Sequence, residues 1–447
     1  MTLSGQRELD PAAVRSAQLF AARVVGNLGY FAAVLLLARG LGPAGRGEIA
    51  FLIVASLVLA RVAALGIGEA TTIFAAQRPS ARAVQLWTAI SFTAAGSAVA
   101  SSLAGVGLLL LGPQGAAGIS ATEFAVLVAA TVPVAIAEIG SAFLLGCDRI
   151  REQATITGAS SWLYALLLAA VWAGTGLTVL GAALVWAIAH ALRATWVLER
   201  SVRGIGFGRP SASLLRESIV FGIRAWVGSL ARFLNFRADQ VLMGFIATES
   251  VLGVYAVSVN ASEVLLYLPS ATAVALVPLA ARSDPLARID LVLRAFRSAA
   301  LITAVGIFAA ALVGPPLLPL VFGPEFQASV TPFLWLLPGA LGFTAMGVFS
   351  SALVASSLPG RSSLGPLISL VLGLALAVVL IPSFGASGAA TAASAAFLAG
   401  GTVSLTTYRR RAEFEWSSLV LPRRGDLDVL WALSGLFRRA PVLRGRM

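Results

Sequence analysis

The chain has 447 residues, 58% of them hydrophobic and only 12% charged, with a formal net charge of +12. Soluble domains are nearer half apolar and a quarter charged. This composition and a mean hydropathy of +0.90 exclude an ordinary soluble fold and point to a helical membrane protein. A single cysteine, Cys147, excludes an internal disulfide, and a single histidine, His190, leaves no His- or Cys-based metal or catalytic cluster. The positive charge reads as loop charge facing anionic headgroups, not as nucleic-acid binding.

All the basic residues are arginine. A guanidinium stays charged inside a cavity and grips phosphate in a bidentate fork. The polar segment 1–17 lacks a signal-peptide pattern, so the first apolar run is expected to be a retained helix. Twelve runs are long enough to span a ~30 Å hydrocarbon core. They fall near 18–38, 48–74, 84–111, 122–145, 158–174, 178–198, 217–246, 251–279, 296–321, 330–355, 363–381 and 386–407. None alternates as a barrel strand would. Pro133, Pro269, Pro278 and Pro338 lie inside runs and are expected to mark kinks.

Loop arginines set the expected orientation. Alternate loops carry Arg7 and Arg15, Arg78 and Arg82, Arg149 and Arg151, Arg200 to Arg209, Arg282 to Arg297, Arg361, and Arg409 to Arg411. The intervening loops carry only Arg39 and Arg46, beside Glu249 and Glu325. By the positive-inside rule both termini are cytoplasmic, which an even span count requires. The connection 201–216 separates an expected N-lobe, 18–200, from a C-lobe, 217–407. An internal repeat supports this division: Gly47–Ser56 aligns with Gly253–Ser262, and Val25–Leu28 with Val227–Leu230. The basic tail, 408–447, contains 427–437, which reads either as a short amphipathic helix on the cytoplasmic leaflet or as a disordered basic segment.

The seventh run is the most informative. It is long enough to cross a bilayer, yet Arg216–Gly244 carries Arg224, Arg232, Arg237 and Asp239. A charge at membrane depth costs at least ~2.5–3.5 kcal/mol and is rarely left facing lipid. At about 100° per residue, Arg224, Arg232, Asn235 and Asp239 share one stripe. This helix is therefore expected to wall a polar cavity. Arg61 is equally deep in the second run, and Arg23 shares a face with Asn27 and Tyr30 in the first. Two readings stand for these arginines: pairing with Glu69, Glu138, Asp239 or Glu263, or contact with an anionic ligand, phosphate above all. For Arg23 and Arg237, near the ends of their runs, snorkelling is a third. Glu263 shares a face with Asn260 and Tyr267 in the eighth run. Glu69, Asp239 and Glu263 are candidate sites for H⁺ or Na⁺ as a coupling ion. No other cofactor is expected. His190 reads as a hydrogen-bonded packing residue before a proton relay, and Cys147, beside Asp148 and Arg149 at an inner helix end, as incidental.

Leu35–Ala50 (LLLARGLGPAGRGEIA) followed by Leu65–Ala70 (LGIGEA) resembles the opening of the polysaccharide-lipid flippases of the multidrug/oligosaccharidyl-lipid/polysaccharide exporter superfamily. Arg237–Gly244 (RADQVLMG), Leu252–Ser258 (LGVYAVS), Val321–Phe326 (VFGPEF) and Ser351–Ser363 (SALVASSLPGRSS) resemble its second half. The resemblance covers the span region to about residue 407 and leaves out the tail. It implies an all-α, MATE-like transporter of two six-helix lobes. Such a transporter moves a polyprenyl-diphosphate-linked oligosaccharide across a bacterial cytoplasmic membrane by alternating access. It also implies diphosphate contacts at Arg23, Arg61, Arg224 and Arg232, with Asn27, Asn235, Asn260 and Tyr267 as further polar cavity residues. The expected partners are the lipid-linked glycan, membrane lipids and glycosyltransferases or a polymerase of the same pathway, around a monomer that is not an enzyme. Alternatives are a lipid II flippase, a cation-coupled multidrug exporter and a membrane glycan polymerase.

Overall fold

The computed structural model describes residues 11–111 and 120–420, with side chains over 25–107, 120–358 and 360–419. Among these residues the chain is helical and contains no strand. Two helices are too long for a single crossing. At 1.5 Å per residue, Pro11–Ala63 and Leu364–Ala412 would measure about 80 and about 74 Å. Each is interrupted by a glycine outside the helical region, Gly42 (φ 66°, ψ −176°) and Gly385 (φ 54°, ψ −130°). Positive φ is the conformation that glycine adopts without steric penalty. Contacts show that the chain reverses at Gly42. Before it, Gly26 lies against Gly158 and Gly40 against Leu177; after it, the chain returns until Thr72 meets Gly146, at the end where it began.

The crossings are α1 (11–41), α2 (43–63, then Ile67–Gln77 after a 57° bend), α3 (Arg82–Leu111), α4 (Ala121–Gly146), α5 (Ile150–Thr175) and α6 (Val179–Val202). The second half comprises α7 (Ala212–Leu234, then Ala238–Ile246), α8 (Glu249–Glu263 and Tyr267–Ala281), α9 (Pro285–Phe322), α10 (Val330–Leu336 and Gly339–Ala355), α11 (364–384) and α12 (386–412). Ten apolar crossings pass by length when each bent pair is taken as one. The reversals at Gly42 and Gly385 make twelve. Large apolar side chains such as Leu103, Val305, Phe308, Leu312 and Val371 point outward, as a lipid-facing surface requires. This is a multi-pass membrane protein.

The two halves repeat one packing scheme. In the first, Gly26 of α1 sits against Gly158 of α5; in the second, Gly228 of α7 sits against Ser363, just before α11. Pro338 lies at a 46° bend, and a 3-10 turn precedes Pro269. Pro133 and Pro278 lie inside α4 and the second arm of α8, which stay helical through them.

Loops rich in arginine mark one end of the molecule, and the halves meet firmly at the other. There Val34 and Ala38 of α1 join Val257, Leu318, Phe322 and Phe326 in one apolar cluster. Arg39 donates to the last carbonyls of α9, Leu320 at 2.8 Å and Val321 at 2.7 Å, which suits a cation at a helix C-terminus. Arg46, expected in a loop, is instead buried at the start of α2.

Helix α7 crosses from one half to the other. Its first arm lies on α2 and α3: Arg78 holds Glu217 bidentately at 2.5 and 2.8 Å, and Gln85 donates to Ser218 at 3.4 Å. Gly66 and Gly222 are in backbone contact there. The chain then bends by 56° at 235–237, and Ala238–Ile246 packs against α2, α8 and α12, with Met243 in the same cluster as Phe51, Leu252 and Ala389. Beyond α12, Phe414 is buried and Ser418 accepts from Arg297 at 2.6 Å. The segment 427–437 lies outside the described residues.

Candidate functional site

A cavity of about 330 Å3 opens among α2, α4, α6 and the first arm of α7. That volume is within the range of small-molecule sites. The bend at Leu65 (φ 43°) and Gly66 (φ 82°) lets α2 present two charges to it, Arg61 before the bend and Glu69 after. Their side chains pair at 3.2 Å. Glu69 Oε1 also accepts from Ser229 of α7 at 2.5 Å, and Trp226 donates to the Arg61 carbonyl at 3.1 Å. Across the cavity, Arg193 of α6 pairs with Glu138 of α4 at 3.4 Å. Thr93, Ser141 and Gln153 add polar groups to the wall. Four buried atoms here have no protein partner: Arg61 Nε, Arg193 Nε, Thr93 Oγ1 and Ser141 Oγ.

A second cavity, about 240 Å3, lies between α1 and α8. Asn27, Tyr30, Asn260, Glu263 and Tyr267 line it. The two faces picked out by helical spacing thus meet across the boundary between the halves. Asn260 donates to Ala256 O at 2.6 Å, leaving its amide oxygen free to accept.

A third polar centre lies where α7 bends. Arg237 pairs with Glu263 at 2.6 Å, so pairing holds it, not snorkelling. Asp239 accepts from the Tyr255 hydroxyl and from the Gln240 N–H, the latter at 2.7 Å. The bend takes Asp239 off the stripe of Arg224 and Arg232, because the helical register that joined them is broken at 235–237. Asn235 donates to Ala231 O and Pro366 O, both at 2.8 Å, tying the bend to α11.

Of the expected phosphate contacts, only Arg61 lines the large cavity. Arg232 is not among the residues lining that cavity, and one of its nitrogens is near Gly228. Arg224 is exposed on the same arm, without a hydrogen bond or ion pair among the described residues. The Arg23 side chain lies outside those described. Arg61, Arg193 and Arg237 are each paired with a carboxylate. Sequence reading passed over Arg193, although Glu138 on a neighbouring helix called for such a partner. His190 bonds Trp186 O at 3.0 Å and stacks on its ring, as a packing residue would.

Two bent six-helix halves around internal polar cavities make up a fold that this chain shares with solved structures at low sequence identity. One is described as an inward-facing conformation of a multidrug resistance MATE family transporter of the MOP superfamily (TM-score 0.69, 15% identity, 88% of this chain and 98% of that one). The other is the lipid II flippase MurJ in an inward closed conformation (TM-score 0.72, 12% identity, 94% and 96%). An outward-facing MATE family transporter overlaps less well (TM-score 0.57, 16% identity, 90% and 95%). No protein-family model matches the sequence, and no curated protein matches it.

Proposed function

We propose that this protein is a flippase that carries a polyprenyl-diphosphate-linked oligosaccharide across a bacterial cytoplasmic membrane by alternating access. The observation that carries the reading is Arg61, which lines a cavity of about 330 Å3 at the bend of α2. A diphosphate would take Arg61, with Arg232 alongside. Arg224, about 12 Å nearer the arginine-rich end of the same helix at 1.5 Å per residue, would meet an incoming headgroup first. The α1–α8 cavity offers amides and tyrosines, the lining that sugar hydroxyls and ring faces need. The lipid tail stays in the bilayer. Of the carboxylates proposed for coupling to H⁺ or Na⁺, Glu69 and Glu263 are each held by an arginine. Asp239 has only neutral donors, so its charge is the one best placed to meet a cation. Glycosyltransferases or a polymerase of the same pathway would supply and consume the glycan, and the transporter would act as a monomer.

Glycan export in a deletion strain, complemented with variants of verified abundance, tests this. Arg61→Gln should abolish export, and Arg224→Gln should reduce it. Export that persists with Arg61, Arg224 and Arg232 all neutralised would overturn the site. The overlap with MurJ across 94% of the chain favours lipid II as the second reading. Arrest of peptidoglycan synthesis on depletion, with no other glycan lost, would select it. Drug sensitivity alone would select an exporter.

A further inference from the structure

Arg193 belongs to the buried face of α6. Ala182, Trp186, Ala189 and Val197, at helical spacing on either side of it, are all buried. Helix α4 packs closely on α6, where a methyl group built on Gly140 would stand 2.2 Å from Val197 Cγ1. Across this contact Glu138 of α4 accepts from Arg193. Glu138 shares its face with Val134, Ala135, Ser141 and Ala142, and all of these line the cavity that Arg61 and Glu69 also line. One space of about 330 Å3 is therefore bounded by two arginines and two glutamates, drawn from α2, α4 and α6.

Both ion pairs in this space are loosely made. Arg61 touches Glu69 once, at 3.2 Å, and Arg193 touches Glu138 once, at 3.4 Å. Outside the cavity the same chemistry closes tighter. Arg149 meets Glu152 twice, at 2.7 and 2.6 Å, and Arg78 meets Glu217 twice, at 2.8 and 2.5 Å. Such bonds are ordinarily about 2.7–2.9 Å and often double, so a single contact at 3.4 Å is a weak hold. Glu69 is also fixed by Ser229 at 2.5 Å, whereas Glu138 has no second hydrogen bond among the described residues and its side chain is 50% exposed. A phosphate presents the same fork of oxygens with more charge, and it competes with a carboxylate for one guanidinium.

We infer, on the reading of this cavity as the diphosphate site, that Arg193 is its second anion-holding residue. It takes one phosphoryl group of a diphosphate whose other lies at Arg61, and Glu138 is the counter-charge that the phosphate displaces. The cavity is then selective for a diphosphate over a monophosphate, because only the diphosphate brings a group for each guanidinium.

The test uses the purified full-length protein in detergent, titrated with farnesyl diphosphate and farnesyl monophosphate. The wild type should bind the diphosphate more tightly. Arg193→Gln should weaken the diphosphate about tenfold, as loss of one charged hydrogen-bonding group does, and affect the monophosphate far less. Glu138→Gln should tighten the diphosphate several-fold, because it removes the competitor. A purely structural bridge would not move the two affinities in opposite directions. Should Arg193→Gln not fold, the double variant with Glu138→Gln strands no charge and should lose the same preference. A wild type without preference for the diphosphate, or unchanged diphosphate affinity in the Arg193 and Glu138 variants, overturns the proposal. If Arg61→Gln still abolishes binding in the second case, the diphosphate reading of the cavity survives. Opposite shifts at Arg193 and Glu138, with glycan export indifferent to Arg61→Gln, would keep this site and sink the transport reading.

Discussion

Gly47 and Gly253 hold matching positions in the two halves, and they touch one another backbone to backbone. A methyl group built on Gly47 would stand 1.9 Å from the Glu249 carbonyl oxygen, and one on Gly253 1.8 Å from that of Pro43. The repeat detected by aligning Gly47–Ser56 with Gly253–Ser262 is thus also a contact, in which two equivalent helix starts close the arginine-poor end.

Because the obstructing atoms are backbone, neither site can accept a side chain without parting α2 from α8. Gly47→Ala and Gly253→Ala should each destabilise the closed end by about 1–3 kcal/mol, the usual range for overpacking. With Cys147 replaced by Ser, a cysteine at position 251 should react faster with a polar maleimide in either variant than in the parent. An unchanged labelling rate would refute this closure.

Arg237 and Glu263 form a pair whose side chains are 21% and 18% exposed. Removing one partner of such a pair strands the other charge, at about 3–5 kcal/mol. Arg237→Gln or Glu263→Gln should therefore lower the melting temperature sharply. The double variant should recover most of the loss, since two neutral amides strand no charge. A double variant as unstable as the sum of the singles would show that the two groups are not coupled.

Tyr255 is fully buried and its hydroxyl serves Asp239. Tyr255→Phe should cost about 1–3 kcal/mol, the penalty for leaving a buried acceptor short of a donor. If Asp239 is the coupling carboxylate, the same change should also alter the cation dependence of export. A melting temperature equal to the parent's would remove this bond from the account.

At the arginine-rich end, the first arm of α7 is held to α2 and α3 by Arg78–Glu217, Gln85–Ser218 and the Gly66–Gly222 contact. The ion pair is exposed and contributes little to stability. The glycine contact is the stronger constraint, because a methyl on Gly222 would lie 2.1 Å from the Gly66 carbonyl oxygen. Gly222→Val should move the arm away from α2. With Cys147 replaced by Ser, spin labels at positions 80 and 213 should report a longer distance in Gly222→Val than in Glu217→Gln. Equal distances in the two variants would contradict this ranking.

Much of the architecture was legible because it depends on local apolar content: the apolar runs, the six-plus-six division and the repeat all follow from it. The bend in α7 was not legible. Asn235, Phe236 and Arg237 include neither glycine nor proline, and the break is fixed by long-range partners, Pro366 O for Asn235 and Glu263 for Arg237. The single stripe of Arg224, Arg232, Asn235 and Asp239 failed for that reason. Arg46 was missed because it follows a glycine-rich turn and reads as loop charge, whereas Gly42 and Gly45 let the helix restart early and bury it. Asn27, Tyr30, Asn260 and Tyr267 do line one cavity, although the 3-10 turn at 264–266 separates the last two.

One oxygen atom, Glu69 Oε1, accepts from both Arg61 and Ser229. An anion that draws Arg61 toward itself thereby alters what fastens α7 to α2, so occupancy and helix release are thermodynamically linked. The linkage is reciprocal. Whatever pries the α7 arm loose frees Glu69 to swing, and so tunes how tightly Arg61 can grip. Anion binding at Arg61 and movement of the α7 arm then need no relay of intervening residues, because they share a single acceptor.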